Sequence, residues 1–472
     1  MAKPIWQWSA KATAKAIRKG KVSAVEVTQA HIDRMKAVNP HLNAVVYDMS
    51  DSALQAAKAA DKVLEKGEKV GPLHGVPITI KENVDIKGRP NPNGVPAFET
   101  LIAPDDSPLV RNFRHAGAII LGQTNTPEFS MRGFTDNPLH GLTLNPWDDN
   151  ITCGGSSGGA ASAVAAGIGT IAHGNDIGGS LRWPAHCCGI ATIKPTQGRI
   201  PAFNPSATAE RPMLASLMSA QGPLARTVAD VRLGLEVMSR RDPRDPWWVP
   251  APLKGPKSKK PIRVALAKVP DDMPVHPSVS AALRKAADAL EDQGYRVSEV
   301  EAPNITGVWQ TWSDVLTTEM HVMSGEMMLK LGSDDFKTVW RGFETGATIH
   351  DLPGYMKAYT DRSTHIRNWM MFLEDYPVIL APTTVQPTPE PRADTEEGRA
   401  LKIFFNEMRF ISAINVLGLP SAVVPVSIDN GHPIGVQLIA RRYREDIALD
   451  AAQAVEDEVG TFSKALWKRE KR

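Results

Sequence analysis

The sequence predicts an α/β protein built on a layered sheet, and three observations carry that expectation. Short apolar runs that read as strands alternate with runs of helical periodicity along most of the chain. Hydrophobic residues make up 42% of 472 positions, enough for a substantial core. Clusters of glycine and serine fall where strands meet helices, the usual place for functional loops in such sheets.

In chain order, Val25, Val27, Ile32, Met35 and Val38, then Leu54, Ala57, Ala60 and Leu64, recur at helical spacing and predict two or three outer amphipathic helices before Lys66. Val76, Ile78 and Ile80 alternate with Pro77 and Thr79 in a short strand that delivers Lys81 at its end. A lysine there ordinarily reaches water, because lysine is almost never buried without a partner. Residues 109–122 read as a helix and a strand, and the turns from Gly133 to Trp147 lead into the serine-rich region. There, Ser157 to Ala166 is a small-residue helix and Ile168 to His173 a strand; a helical run from Ser180 precedes a strand at Ile190 to Ile193. Asp242 to Pro261, rich in proline and lysine, reads as an exposed linker. Ile262 to Pro303 gives a strand, a long helix (Val279 to Gln293) and another strand. Gly307 to Met371 is helical, with Met320, Met323, Met327 and Met328 expected in the core. Val378 to Ile379 with Pro382, Ala422 to Val426, and Ile434 to Ile439 read as the last strands.

Composition excludes several classes. A formal charge of +2 leaves no footprint for nucleic acid, and the basic runs Lys257 to Lys260 and Lys468 to Arg472 read as a solvated loop and a frayed tail. Cys153, Cys187 and Cys188 are an odd count with two adjacent, which suits neither a disulfide framework nor a zinc site and fits a reducing, cytoplasmic setting. No run approaches the roughly 20 apolar residues that span a bilayer, and the first residues lack a continuous apolar leader, so no membrane association is expected.

The stretch from Gly154 to Ser180 concentrates the chemistry. It holds two glycine-flanked serines, Ser156 and Ser180, 24 positions apart. That many glycines suggest a backbone coming very close to something, and Asn175 to Ser180 could point successive N–H groups at an oxyanion or phosphate. Three readings compete. Gly154 to Gly159 matches G-x-S-x-G, the elbow of an α/β-hydrolase-type esterase using Ser157, yet none of the downstream histidines His276, His321, His350, His365 and His432 sits in a site-like loop. Gly167 to Ala172 matches G-x-G-x-x-A, but it follows a helix and opens a strand, the reverse of the order a dinucleotide site needs. The third joins Lys81, Ser156 and Ser180: a desolvated, neutral lysine serves as a base and relays a proton through one serine to the other without any histidine.

At these residues the sequence resembles the amidase signature family, serine hydrolases with a Ser-Ser-Lys triad. The resemblance runs through His74 to Gly88, Asn125 to Asp148, Gly154 to Gly159 with Asn175 to Arg182, Ala191 to Ile200, Gly222 to Asp230, Asn415 to Val426 and Pro433 to Asp446. It implies a single α/β/α layered domain with a large mixed β-sheet covered by helices. Within residues 1–472 it divides the chain into N-terminal helices (1–70), a catalytic core (71–240), the linker (241–262) and the remaining sheet with a variable helical cover (263–472). It implies Lys81 as terminal base, Ser156 as bridging serine after a cis peptide, and Ser180 as nucleophile. The oxyanion hole would be the N–H groups of Ile177, Gly178, Gly179 and Ser180, and Ser130, Met131 and Phe134 would meet the substrate. The implied reaction is hydrolysis of a small-molecule carboxamide; the apolar composition of Pro201 to Ala220, with Met131 and Phe134, suggests an uncharged pocket that favours neutral aryl or medium-chain amides, with carbamates as a further class. The reaction needs no cofactor and no metal, and admits a homodimer. A relative of the same fold can instead be the amidase component of a tRNA-dependent transamidation complex.

This chain departs from the family pattern at Glu82, Asn175, Ile151 and Cys153, and Pro201 to Ala220 is a longer, apolar link. These departures predict an altered acyl pocket with the chemistry intact.

Overall fold

In the computed structural model, which describes residues 3–258, 260–396 and 398–469, one sheet of eleven strands runs through the chain. The strands are β1 (Val45–Asp48), β2 (Pro77–Lys81), β3 (Ile119–Thr124), β4 (Ile171–Asp176), β5 (Ala191–Lys194), β6 (Ala220–Ala225), β7 (Arg263–Ala267), β8 (Arg296–Val300), β9 (Val378–Pro382), β10 (Ser421–Asp429) and β11 (His432–Ala440). Their order is β1-β3-β2-β4-β6-β5-β10-β11-β9-β7-β8. The sheet is mixed: β2 lies parallel to both β3 and β4, while β4 pairs antiparallel with β6.

Every residue of β2, β3, β4, β6 and β9 is buried, so these strands are covered by helices on both faces. On one face, Leu109, Phe113, Val231, Leu290 and Val455 pack from the helices Pro108–His115, Val228–Met238, Pro277–Asp292 and Glu445–Val459. On the other, Trp312, Trp340, Trp369 and Phe410 come from Ile305–Leu331, Asp334–Gly346, Leu352–Asp375 and Arg409–Leu417. The N-terminal helices Ala24–Leu42 and Ser50–Glu65 cluster against Ile119 and Leu121 of β3. Ser23 starts the first of these with a full capping box, its Oγ accepting from Glu26 N at 3.0 Å.

Several expectations are corrected. The strand expected at 168–173 is β4, three residues later. The difference matters, because it places Asn175 and Asp176 at the carboxyl end of the strand, beside Lys81. Strands β1 and β6 were not expected: β1 is a four-residue edge strand between two helices, and β6 (AQGPLA) carries glycine and proline that disguise it. Met328 is in the core, but Met323 and Met327 are 64% and 42% exposed, so the methionine stripe faces two ways. Residues 242–256 run along the surface yet are tied down, Val249 N donating to Gly198 O and Arg199 to the carbonyls of Ala251 and Pro252. Of the basic runs, residues 259 and 470–472 lie outside the described residues. Lys468 and Arg469 end a helix, Ser463–Arg469, with the Arg469 guanidinium 5.1 Å above the Trp147 ring, where a frayed tail was expected. Among the described residues no helix is long and apolar enough to cross a membrane.

Three histidines are buried as neutral rings: His31 bonds Gly167 O at 3.1 Å, His173 bonds Gln221 Oε1 at 2.9 Å, and His186 bonds Gly435 O at 3.2 Å. Burial pushes their pKa values down, to about 3, about 3 and about 4 respectively. An unfolded histidine titrates near 6.5, so between roughly pH 6.5 and pH 4 the unfolded chain binds protons that the folded chain refuses. The stability these rings contribute is present above about pH 6.5 and is lost as pH falls, at up to roughly 1.4 kcal/mol per pH unit for each ring. Urea unfolding followed at pH 7.5, 6 and 5 should show a steadily falling midpoint; a midpoint constant over that range contradicts the account.

Candidate active site

The site begins with a lysine at the end of a buried strand. Lys81 closes β2 with no exposed surface, against the ordinary expectation that it reaches water. Its Nζ lies 2.7 Å from Ser156 Oγ, 2.8 Å from Asn175 Oδ1 and 3.3 Å from Ser157 Oγ. Burial holds its pKa well below the usual lysine value; Asp176 and Glu82 push the other way, and Arg211 adds to the lowering. That direction favours the neutral amine over the ammonium form.

Ser156 follows a cis peptide after Gly155 and is almost wholly buried. The loop that carries it touches the second serine loop directly, Ser157 N donating to Ser180 O at 3.2 Å. Ser180 is half-buried at the floor of a small cleft, and its Oγ takes no hydrogen bond among the described residues. The structure thus brings Lys81 to Ser156 by hydrogen bonding and leaves the Ser180 hydroxyl open to the cleft.

The glycines around the first serine make room for protein rather than for a ligand. A Cβ on Gly155 would stand 2.7 Å from Phe134 N, and one on Gly159 would stand 2.5 Å from Asn125 N. The loop 125–135 presses against both. Around the second serine the backbone is propped by side chains. Trp312 Nε1 donates to Ile177 O at 2.7 Å, and Ser412 Oγ donates to Gly178 O at 3.0 Å. Asp176 accepts from Gly179 N at 2.8 Å and pairs with Arg182, Nε to Oδ2 at 3.0 Å. Burial alone would raise the Asp176 pKa, but the Arg182 guanidinium holds it down to about 2. Asn415 completes this buried frame, accepting from Arg182 at 2.6 Å and donating to Asp176 Oδ1 at 2.9 Å.

Two expected site residues are corrected by this geometry. The N–H of Gly179 is committed to Asp176, whereas those of Ile177, Gly178 and Ser180 have no hydrogen-bond partner among the described residues. Phe134 is completely buried in the core behind the loop and does not line the cleft. Ser130 and Met131 do line it, with Ile177, Trp312, Leu316, Phe404 and Met408. The one charged residue among the described residues there is Arg132, which is bound bidentately to Asp394 at 2.9 and 2.8 Å.

The expected acyl-pocket role of Pro201 to Ala220 is also corrected. That segment lines a separate, larger cavity of about 480 Å³ with Gln221, Arg244 and Trp247, and none of its residues lines the cleft at Ser180. The helices of 307–375 supply the wall instead. None of the departures from the family pattern, Glu82, Ile151, Cys153 and Asn175, lines the cleft. Asn175 bonds Lys81, Glu82 bonds His140 at 2.9 Å, and Cys153 is buried beside Thr135 and Thr143 behind the first serine loop. Trp312, Ser412 and Asn83 escaped sequence reasoning. Trp312 and Ser412 stand in helices far along the chain, and Asn83, only two residues past Lys81, sits in a turn where no local pattern marks its bonds to Asn175 and Ser130.

The fold and this site define a layered α/β hydrolase with a buried lysine hydrogen-bonded to a serine beside a small cleft. The Amidase family model matches residues 26–449, and the chain belongs to that family. It is 70% identical over 465 residues to an indoleacetamide hydrolase of Bradyrhizobium diazoefficiens, covering 98% of this chain and 89% of that one. It is 33% identical to a glutamyl-tRNA(Gln) amidotransferase component of Acidothermus cellulolyticus, over 91% of each chain. Among solved structures, a bacterial aryl acylamidase of the amidase signature family superposes with a TM-score of 0.84 at 25% identity, covering 100% of both chains. The protein is an amidase, a hydrolase of amide C–N bonds, and acts on small-molecule amides.

Trp312 is wall and prop at once, and the two roles separate in one variant. Trp312→Phe keeps a ring against the cleft but removes the donor to Ile177 O, and it should lower kcat about tenfold, equivalent to roughly 1.4 kcal/mol, with KM within twofold. Steady-state kinetics checks this, and a raised KM at unchanged kcat would make the indole a wall alone.

Proposed function

We propose that the chain hydrolyses a neutral arylacetamide, indoleacetamide in the first instance, through an acyl-enzyme on Ser180. The observation that carries this reading is an apolar, aromatic cleft over Ser180 in which the charge of Arg132 is already neutralised by Asp394. The 70% identity to an indoleacetamide hydrolase supports the indole ring as the group it accommodates. Ser180 Oγ attacks the carbonyl carbon while Ser156 takes its proton and passes its own to the neutral amine of Lys81. The oxyanion is met by the N–H groups of Ile177, Gly178 and Ser180. When the C–N bond breaks, the proton returns through Ser156 to the leaving nitrogen, and ammonia departs. A water molecule then attacks the acyl-enzyme, gives up its proton along the same route, and releases the carboxylic acid with Ser180 restored. Ser130 and Met131 form the lip of the cleft in this reading, and no cofactor enters any step.

The other readings are weaker. The transamidation reading rests on 33% identity against 70%. In the esterase reading Ser157 would be the nucleophile, but its Oγ is buried, donates to Asn175 O at 3.3 Å and does not face the cleft. The downstream histidines are engaged elsewhere, His276 with Ser278, His321 with Glu344, His350 with Asp314, His365 with Thr311 and His432 with Asp148. Three free, buried cysteines support a cytoplasmic location.

Ser180→Ala should abolish both turnover and labelling by a fluorophosphonate, whereas Ser157→Ala should retain turnover; a labelled Ser180→Ala protein removes Ser180 as nucleophile. Because the base must be neutral, and the neutral amine prevails above the lysine's lowered pKa, kcat/KM should rise from acid toward neutral or alkaline pH and level off once that pKa is passed. A carboxylate placed on the acyl group pays a desolvation penalty in a cleft with no free cation among its described residues. Indoleacetamide should therefore be turned over at least about tenfold faster, in kcat/KM, than an arylacetamide of equal size bearing a carboxylate. Equal rates on the two would sink the substrate assignment.

A further inference from the structure

We infer that Asn175 is a positioning residue that aims the lone pair of Lys81 at Ser156, and that Asn83 ties this aim to the Ser130 lip of the cleft. The inference rests on the reading of Lys81 as the terminal base. A neutral amine has two N–H donors and one lone pair, and Nζ has three neighbours to share them among. Asn175 Oδ1, at 2.8 Å, can only accept, so one N–H must point to it. Ser157 spends its own hydroxyl proton on Asn175 O, so it too accepts from Nζ, at 3.3 Å. With both donors committed, the lone pair is left facing Ser156 Oγ at 2.7 Å, the one neighbour that must give up a proton.

The orientation of the Asn175 amide is itself fixed. Its Nδ2 donates to Asn83 Oδ1 at 2.9 Å, and Asn83 Nδ2 donates to Ser130 Oγ at 2.9 Å. Ser130 Oγ donates onward to Asn93 Oδ1 at 2.6 Å, in a loop where Phe129 and Ser130 hold φ of 53° and 56°. Asn175 and Asn83 are buried, at 7% and 9% exposure, so water does not replace these bonds freely. A chain of amides therefore runs from the base to the rim of the substrate cleft.

The choice of an amide also bears on charge. The ionisable groups facing Lys81 are Asp176 and His173 on β4, Glu82 next to it, and Arg211 from the segment before β6. Asp176 is paired with Arg182, Glu82 with His140, and His173 with Gln221; none of them hydrogen-bonds Nζ. Asn175 is thus a direct acceptor that brings no charge. A carboxylate in its place would favour the ammonium form and move the base's working range to higher pH, since an opposite charge at this range shifts a pKa by about 1–3 units.

The test is the pH dependence of kcat/KM for Asn175→Asp and Asn175→Ala, with Asn83→Ala and Lys81→Met measured beside them and folding followed by circular dichroism. Asn175→Asp should move the acid limb up by about a unit or more, with at least tenfold loss at the native limb and recovery at alkaline pH. Asn175→Ala removes an acceptor that favours the ammonium form, so its limb should move down while its plateau falls about tenfold. Limbs moving in opposite directions are a signature that general damage to the site does not produce. A smaller plateau loss in Asn83→Ala supports the chain to Ser130, and a native plateau removes Asn83 from it. Should Asn175→Asp fail to fold, the limb of Asn175→Ala decides alone. Limbs that stay put, or move together, overturn the positioning role while an inactive Lys81→Met leaves the catalytic reading standing. An active Lys81→Met overturns that reading itself.

Discussion

The burial of one amine governs this structure. Lysine is strongly hydrated, and enclosing Nζ at the end of β2 is tolerable only because three oxygen atoms surround it and because it can shed its proton. Those requirements explain the neighbourhood. Helices cover both faces of β2, and β4 runs parallel beside it, in register from Ile78 with Ile171, so that its own carboxyl end supplies Asn175. The serine loop then closes the remaining side. The basicity of the site is a property of the whole central sheet rather than of the lysine.

The second serine loop answers a different requirement. In the proposed reaction its amide nitrogens meet the oxyanion and so must be kept from protein acceptors, which a short polypeptide loop resists, since buried N–H groups seek acceptors. Here the carbonyls of Ile177 and Gly178 are held by Trp312 and Ser412, and Gly179 N by Asp176, so the loop's internal options are used up. The N–H groups of Ile177, Gly178 and Ser180 are left without a protein acceptor among the described residues. The buried Asp176–Arg182–Asn415 frame makes that arrangement rigid, and each member is paired, which is the condition under which buried charge is tolerated.

Much of this was legible in the sequence because it is local. Lys81 at a strand end, serines bedded in glycine at Gly155 and Gly179, and the strand and helix alternation all depend on neighbours a few residues away. The site's supporting groups are not local. Trp312 and Ser412 lie in helices that sequence periodicity marks only as apolar, and nothing about a tryptophan in such a helix says that its N–H meets Ile177. Phe134 misled for the complementary reason: an aromatic residue in a loop near the site is as suitable for the core as for the cleft, and its burial depends on what packs behind it. β6 was hidden by Gly222 and Pro223, and β1 by its brevity, because both strands take their stability from their partners. The glycines were read correctly as marks of close approach, but the approaching body is the loop 125–135.

That close packing divides the molecule into parts with different freedom to change. Gly155 and Gly159 are locked against backbone atoms of Phe134 and Asn125, so neither the serine loop nor its neighbour can drift in sequence without the other. The cleft wall, by contrast, draws side chains from the helices Ile305–Leu331 and Asp334–Gly346, where Leu316 and Phe343 stand outside the hydrogen bonds that join Lys81, Ser156 and Asn175. New specificities can therefore be selected on those two helices while the chemistry is inherited unaltered. Position 312 is the exception, since a residue that enlarged the cleft there would also release the loop it steadies. A lineage that changes its substrate through Trp312 must invent a second prop first.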